Sequence, residues 1–293
     1  MAAQELDHEI ATENEIVAFC TDAGNALIGG ISHGNQVVKI SSKAVVKFGI
    51  GVKQKEGRNQ TRAYELIDQN IVCVPVVYRC FMRGYVGYIV MEYMNGRPLE
   101  KLEESSLIQR IKDIMAYLAT IRGSSPEVFF EKSYSPVPGP LCGGAPAGLL
   151  WDESEETIFH TIEALERWFN RRLRKEDTKV RFSDYELVLC HLDIAPRNFI
   201  LLDDGSISLL DWQSAGFYPR IFEVCVFHLA FGGEHSFAED VVKPADWNDE
   251  EQAVIASMGK AWGNTIRNHF KSLFSLDQDQ QSMSETNFLL PSD

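Results

Sequence analysis

No two cysteines in this chain are spaced Cys-x-x-Cys, and the six present, at positions 20, 73, 80, 142, 190 and 225, have no histidine cluster beside them. That scatter speaks against structural zinc. Long apolar runs are missing as well: no stretch reaches membrane-spanning length, and residues 1–15 are polar and acidic where a signal peptide starts basic and then turns apolar. The expectation is a cytoplasmic protein with reduced thiols and no membrane partner. Positive charge is scarce too. With 28 Lys and Arg against 42 Asp and Glu, the formal charge is −14. A sequence-independent grip on nucleic acid needs clustered cations to replace phosphate counterions, so nucleic acid is excluded as a partner. The excess of carboxylates keeps a surface soluble and also favours a cationic partner or substrate.

What is present suits a folded protein. Hydrophobic residues make up 45% and charged residues 24% of 293 positions, enough for a sizeable core arranged as one two-lobed domain or two small ones. After a polar leader, residues 35–49 read as two β-branched runs around a short polar turn, a hairpin with Lys47 in its second strand. Residues 57–70 carry Ala63, Tyr64, Leu66 and Ile67 at helical spacing. Residues 71–78 are β-rich, and 85–93 (YVGYIVMEY) form a strongly apolar strand that stops at Asn95-Gly96. Beyond Arg97 the pattern turns helical, over 107–122, 155–174, 221–231 and 250–269, interrupted by a Pro- and Gly-rich stretch at 124–148 and followed by a polar tail from Asp277. A lobe boundary is expected near Asn95, dividing residues 1–94 from 95–293.

The richest segment is ELVLCHLDIAPRNFILLDDGSISLLDWQSAGF, residues 186–217. A β-rich run leads to His191-Leu192-Asp193, Asn198 follows five residues after the aspartate, and Asp211-Trp212 closes the segment. Asp203-Asp204-Gly205-Ser206 is a strong hairpin turn. If Asp204-Gly205 is its two-residue loop, Leu202 faces Ile207 and, further out, Asn198 faces Asp211. Opposed residues of an antiparallel pair hold their Cβ atoms about 4.5–5.5 Å apart, so two oxygen-bearing side chains converge as Mg²⁺ requires. Asp193 lies just before that hairpin, placed to orient a hydroxyl and accept its proton.

His-x-Asp-x-x-x-x-Asn followed after a hairpin by Asp-Trp resembles the catalytic loop and metal segment of the kinase-like fold, in the form found in the aminoglycoside phosphotransferase and choline kinase group. The resemblance runs from about residue 26 to 231. It implies an α+β, bilobal protein-kinase-like fold, with a small antiparallel β-sheet N-lobe and a mainly helical C-lobe. ATP and Mg²⁺ would bind between the lobes, for transfer of the γ-phosphoryl group to a small-molecule hydroxyl. It further implies that Asp193 is the catalytic base, that Asn198 and Asp211 are the magnesium ligands, and that Lys47 steadies the α and β phosphates. The backbone of Glu92 and Met94 would hold adenine, with Met91 behind it. The lysine's usual partner is a Glu on the next helix. Here Glu65 faces away, Glu56 and Gln60 lie near the apolar face, and alignment with the family puts Gln60 in the partner's place. GGISHGNQ is a loose match to a phosphate-covering loop, with glycines at 29, 30 and 34.

Other residues weigh less. His191 reads as a scaffold residue, His228 and His235 have no ligand partners at useful spacing, and Glu223 reads as a fixture of the C-lobe. A protein kinase would need an arginine after the catalytic-loop histidine, where Leu192 stands, and a long activation segment that the chain between Asp211 and the next helix cannot supply. The remaining alternative is a catalytically inactive or repurposed kinase-fold protein that binds nucleotide or a small ligand, for which the amide at Gln60 is the best support.

Overall fold

The computed structural model describes residues 5–22, 27–30, 34–99, 105–123, 137–151, 155–230, 241 and 247–285, the last of these as backbone alone from 268. The chain begins with a short helix, α1 (Glu13–Thr21), where the sequence suggested only a polar leader. Thr12 starts it through a capping box: its hydroxyl accepts from the Glu15 amide at 3.3 Å while the Glu15 carboxylate accepts from the Thr12 amide at 2.8 Å. Ile16 and Cys20 turn inward and pack with Val46, Phe48, Phe81 and Tyr88.

That cluster covers one face of a five-stranded antiparallel sheet. Its strands are β1 (Leu27–Gly30), β2 (Gln36–Lys39), β3 (Ala44–Gly49), β4 (Val77–Arg83) and β5 (Val86–Glu92), in the order β1-β2-β3-β5-β4. β3 is central, so Ala44, Val45 and Val46 are all buried and the strand reads as an unbroken apolar run rather than an alternation. Helix α2 (Gln54–Leu66) begins three residues earlier than its periodicity suggested. Its Gly57 lies against β4 so closely that an added Cβ would stand 2.0 Å from Cys80 Sγ.

Residues 71–76, expected as strand, leave this sheet for the other lobe. Cys73 N–H donates to the Ile207 carbonyl at 2.8 Å, and the Cys73 carbonyl accepts from Leu209 N–H at 2.9 Å. Pro75 has no N–H with which to continue a ladder, and β4 resumes only at Val77. After β5, the strand β6 (Gly96–Pro98) pairs with β9 (Phe199–Leu202), which in turn pairs with β10 (Ile207–Leu209). Gly96 is required there, because a Cβ would come within 2.3 Å of the Leu201 carbonyl oxygen.

The second lobe is mainly helical: α3 (Ser105–Leu118), α4 (Ile162–Asn170), α5 (Ile221–Ala230) and α6 (Asp249–Glu285), with a small sheet of β7 (Gly139–Pro140), β11 (Gly216–Pro219) and β8 (Leu187–Cys190). The expected two-lobed α+β architecture is therefore present. Its core is aromatic, with Trp151 stacked on Phe222 and edge-on to Phe169, and Trp168 edge-on to Phe159. α4 is shorter than the periodicity at 155–174 suggested, because Thr161 caps it and Glu155 instead binds Trp168 Nε1 at 2.9 Å. The tail expected as polar and loose from Asp277 stays helical to Glu285. Most of the Pro- and Gly-rich stretch (124–136), part of GGISHGNQ (31–33) and His235 lie outside the described residues. Among the described residues no helix is long and apolar enough to cross a membrane.

Candidate active site

β8 delivers the chain into His191-Leu192-Asp193, and Glu223 on α5 receives it. The buried Glu223 carboxylate accepts from the amides of His191 (2.6 Å) and Leu192 (3.0 and 3.1 Å). Those bonds hold Leu192 at φ 61°, a left-handed conformation a branched side chain adopts only under constraint. Burial pushes the Glu223 carboxyl up to about 7, while the two amides pull the other way.

His191 is buried and stands edge-on to Trp212. Its Nδ1 accepts from the Asp193 amide at 3.2 Å, so the proton sits on Nε2 and is donated to the Leu210 carbonyl at 3.0 Å. Burial lowers its pKa, against the upward pull of the Asp193 and Asp211 carboxylates. The imidazole is thus a neutral brace between two backbones, with both nitrogens committed.

The Asp193 carboxylate is held by two residues that line the cleft between the lobes, Asn198 and Arg197. Asn198 Nδ2 donates to its Oδ2 at 2.9 Å and to its backbone carbonyl at 2.7 Å, and Arg197 Nη2 donates to Oδ1. With its NH₂ group spent on Asp193, Asn198 keeps its carbonyl oxygen as an acceptor.

The hairpin that follows differs from the expected register by one residue. Ile207 pairs with Leu201 and Leu209 with Phe199, so Asn198 stands opposite Leu210, whose amide donates to the Asn198 carbonyl at 2.8 Å. The loop holds three residues, not two: Gly205 sits at φ +85° and its amide closes on the Leu202 carbonyl at 2.9 Å, the pattern of a type I turn with a glycine bulge. A one-residue shift in a regular strand would send Asp211 to the opposite face. Asp211 escapes this because the strand has ended. It takes the left-handed conformation, φ 62° and ψ 65°, which an aspartate tolerates. Its Oδ2 thereby reaches Lys47 Nζ at 3.2 Å.

Lys47 projects from β3 and is gripped from a second side by Glu56 Oε1 on α2, at 2.5 Å. This corrects the partner expected from alignment. Gln60, one turn further along α2, instead donates to the Pro75 carbonyl at 2.8 Å and to Met91 Sδ at 3.6 Å, bracing the back of the cleft. Burial is the largest single influence on the Lys47 ammonium and opposes its charge. The Asp211 and Glu56 carboxylates outweigh it and hold the lysine above its ordinary range.

These side chains share a cleft of about 400 Å³, lined also by Gly29, Gly30, Met91, Glu92, Met94 and Ile200. Glu92 carries its carboxylate away from the cleft, accepting from the Val76 amide at 3.2 Å. The cleft has the size and the apolar wall a purine needs. Near Lys47 the donors are oxygens alone, the Asn198 carbonyl and the Asp211 carboxylate, a set that suits a hard cation such as Mg²⁺. Among the described residues no group of three His, Cys, Asp or Glu side chains forms a metal cluster by itself, so further ligands would come from phosphate or water.

Two residues in and around the site went unread in the sequence. Arg197 was visible in principle, four positions after Asp193, a spacing that brings side chains together. Asn59 carried no signal. It is fully buried on α2, and its amide bonds the Trp212 and Ala215 carbonyls 153 and 156 positions away.

The model of the phosphotransferase enzyme family matches residues 29–253. No curated protein matches the sequence. Among solved structures, aminoglycoside phosphotransferase APH(4)-Ia is similar at a TM-score of 0.54 and 14% identity, over 92% of this chain and 93% of that one. A thermostable mutant of it in ternary complex with ADP and hygromycin B aligns at 0.52 and 13%, over 94% and 98%. Another thermostable mutant, with AMP-PNP and hygromycin B, aligns at 0.51 and 15%, over 89% and 94%. At these identities the likeness establishes the shared kinase-like fold.

Proposed function

The chain belongs to the phosphotransferase enzyme family, and from that premise we propose that it transfers the γ-phosphoryl group of ATP to a hydroxyl of a small molecule. Lys47 steadies the α and β phosphates, Met91 and the Glu92–Met94 backbone receive adenine, and Gln60 keeps Met91 and Pro75 in place behind the base. Asn198 and Asp211 hold Mg²⁺, which when bound neutralises phosphate charge. The Asp193 carboxylate orients the acceptor hydroxyl and takes its proton as the oxygen attacks Pγ. The bond from Pγ to the β–γ bridging oxygen breaks, ADP leaves, and the proton passes from Asp193 to solvent.

The observation that carries this reading is the contact set around Asp193, Asn198, Lys47 and Asp211. An amide oxygen, a cation and a carboxylate line one cleft, and the base is held by Asn198 and Arg197, which line it too. Glu56 also supplies the carboxylate that a neutral amide at position 60 would have denied Lys47. The reading as an inactive nucleotide-binding protein thereby loses its main support. Net acidity favours a cationic acceptor such as an amino alcohol or aminoglycoside.

The test is thermal stability with Mg²⁺ and ATP against a library of amino alcohols, aminoglycosides and sugars, with ADP release recorded in the same wells. A Mg²⁺-dependent shift with acceptor-dependent ADP release is expected. Asp193→Asn should keep the nucleotide shift and abolish transfer; undiminished turnover in that variant would sink the assignment.

A further inference from the structure

Arg197 has no role in the reaction as set out so far, yet it sits where the phosphates would lie. It lines the cleft with Lys47, Asn198 and Asp211. Its guanidinium is bound to the Asp193 carboxylate, but its side chain is 62% exposed, against 29% for Asp193. An exposed pair at i,i+4 is weak and easily exchanged for a better anion.

Charge points to what that anion is. Lys47 is committed to Glu56 and Asp211. Among the described residues that line the cleft, Arg197 is the other cation, and the carboxylates of Glu56 and Asp211 line it as well. A nucleoside triphosphate adds more negative charge to this wall. A planar guanidinium with parallel N–H donors matches phosphate oxygens in pairs, which a lysine cannot do.

We infer that Arg197 exchanges partners during the reaction, leaving Asp193 for the terminal phosphoryl group of the bound triphosphate. The inference rests on the phosphotransferase reading and adds to it a second contact on the transferred group and an order of events. Asn198 already occupies Asp193 Oδ2, and Arg197 occupies Oδ1, so in the ligand-free protein both oxygens of the base are engaged. Arrival of the triphosphate draws the guanidinium off Oδ1, and the base meets the acceptor hydroxyl only when the phosphoryl donor is in place. A diphosphate, lacking the terminal group, leaves the Arg197–Asp193 pair closed. Asp193 and the terminal phosphate therefore compete for one cation, and removing either competitor strengthens the other's hold.

Binding of AMP-PNP and of ADP, both with Mg²⁺, is measured by calorimetry on the full chain and on Arg197→Met, Arg197→Lys, Asp193→Asn and the Asp193→Asn/Arg197→Met double variant. Arg197→Met should weaken AMP-PNP by about tenfold or more and ADP by less than about twofold, with Arg197→Lys between. Asp193→Asn should tighten AMP-PNP but not ADP, and the double variant should lose that gain. Equal effects on both nucleotides, or none, would make Arg197 a static brace of Asp193 and overturn the inference. So would a gain in Asp193→Asn that persists without Arg197. A wild-type chain that binds neither nucleotide overturns the inference together with the reading beneath it, and is recognised because the failure appears before any substitution is made.

Discussion

The side-chain amide of Asn59 donates to the backbone carbonyl of Trp212 at 2.6 Å, joining the helix that carries Glu56 to the turn that begins at Asp211. The second hydrogen of the same amide goes to the Ala215 carbonyl at 2.8 Å, and its oxygen accepts from the Cys142 amide at 3.1 Å. One buried side chain thus closes off the short helical turn 212–214 at both ends and ties it to the N-lobe.

Removing that amide takes the shorter of two donors from each carbonyl and strands the Cys142 amide, a loss of about 1–3 kcal/mol for the stranded group with the weakened carbonyls in addition. Asn59→Ala should therefore lower stability by roughly 3 kcal/mol and weaken the Mg²⁺ dependence of nucleotide binding, because Asp211 loses the turn behind it. Chemical denaturation and a Mg²⁺ titration at fixed ATP check the two effects. A variant with unaltered Mg²⁺ response would confine Asn59 to stability alone.

The lysine pairing gives a sharp comparison. Glu56→Gln removes the charged partner at 2.5 Å from Lys47 and should cut turnover with ATP by about 10- to 100-fold, the worth of a charge-assisted hydrogen bond. Gln60→Ala removes a brace to the Pro75 carbonyl and should chiefly reduce stability. Steady-state kinetics beside melting curves separate them, and a larger catalytic loss in the position-60 variant would reverse the assignment.

Two buried groups at the turn 191–193 respond to pH in opposite directions. His191 has its pKa lowered from 6.5, so its neutral form belongs to the fold, and the stability it contributes above that value is lost as pH falls below it. Glu223 is raised from 4.5 to about 7, so the folded state takes up its proton first and gains stability as pH falls through that interval, by roughly 3 kcal/mol. In Glu223→Gln only the histidine's loss remains, and the variant should fall away from wild type as the medium is acidified from about pH 8 to pH 5. Denaturation midpoints that run parallel over that range would refute the Glu223 contribution.

Two glycines should answer differently to the same substitution. At Gly205 an added Cβ meets nothing within 4 Å, so Gly205→Ala carries only the backbone cost of φ +85°, about 1 kcal/mol. At Gly57 the added carbon would stand 2.0 Å from Cys80 Sγ, so Gly57→Ala must displace either that thiol or α2 and should cost more. It should also lower activity, since α2 carries Glu56. Melting temperatures of the pair decide this, and equal losses would contradict it.

Much of the site was legible because its residues are close in sequence. Asp193, Asn198, the hairpin and Asp211 fall within one segment, where turn chemistry and strand alternation act locally. The hairpin register was misread for a local reason: Asp-Gly in a turn suits a two-residue loop as well as the last two positions of a three-residue one, and only the φ of Gly205 in context separates them. The partner of Lys47 was misplaced by one helical turn, since both Glu56 and Gln60 fall on the inward face and periodicity does not rank them. Cys73 and Asn59 were beyond reach, because each finds its partner more than a hundred positions away through backbone carbonyls that carry no sequence signature. The α1 helix was hidden by its low apolar content, although Thr12 and Glu15 spell out its cap.

The odd-numbered turn at 203–205 and the left-handed Asp211 correct one another. With a two-residue turn, or with Asp211 in ordinary extended conformation, the carboxylate would face away from Lys47. Descendants of this chain are therefore not free to lengthen or shorten the hairpin one residue at a time. A single-codon insertion or deletion there is tolerated only alongside a change in the backbone conformation at Asp211, so loop length and that conformation should be inherited as a linked pair.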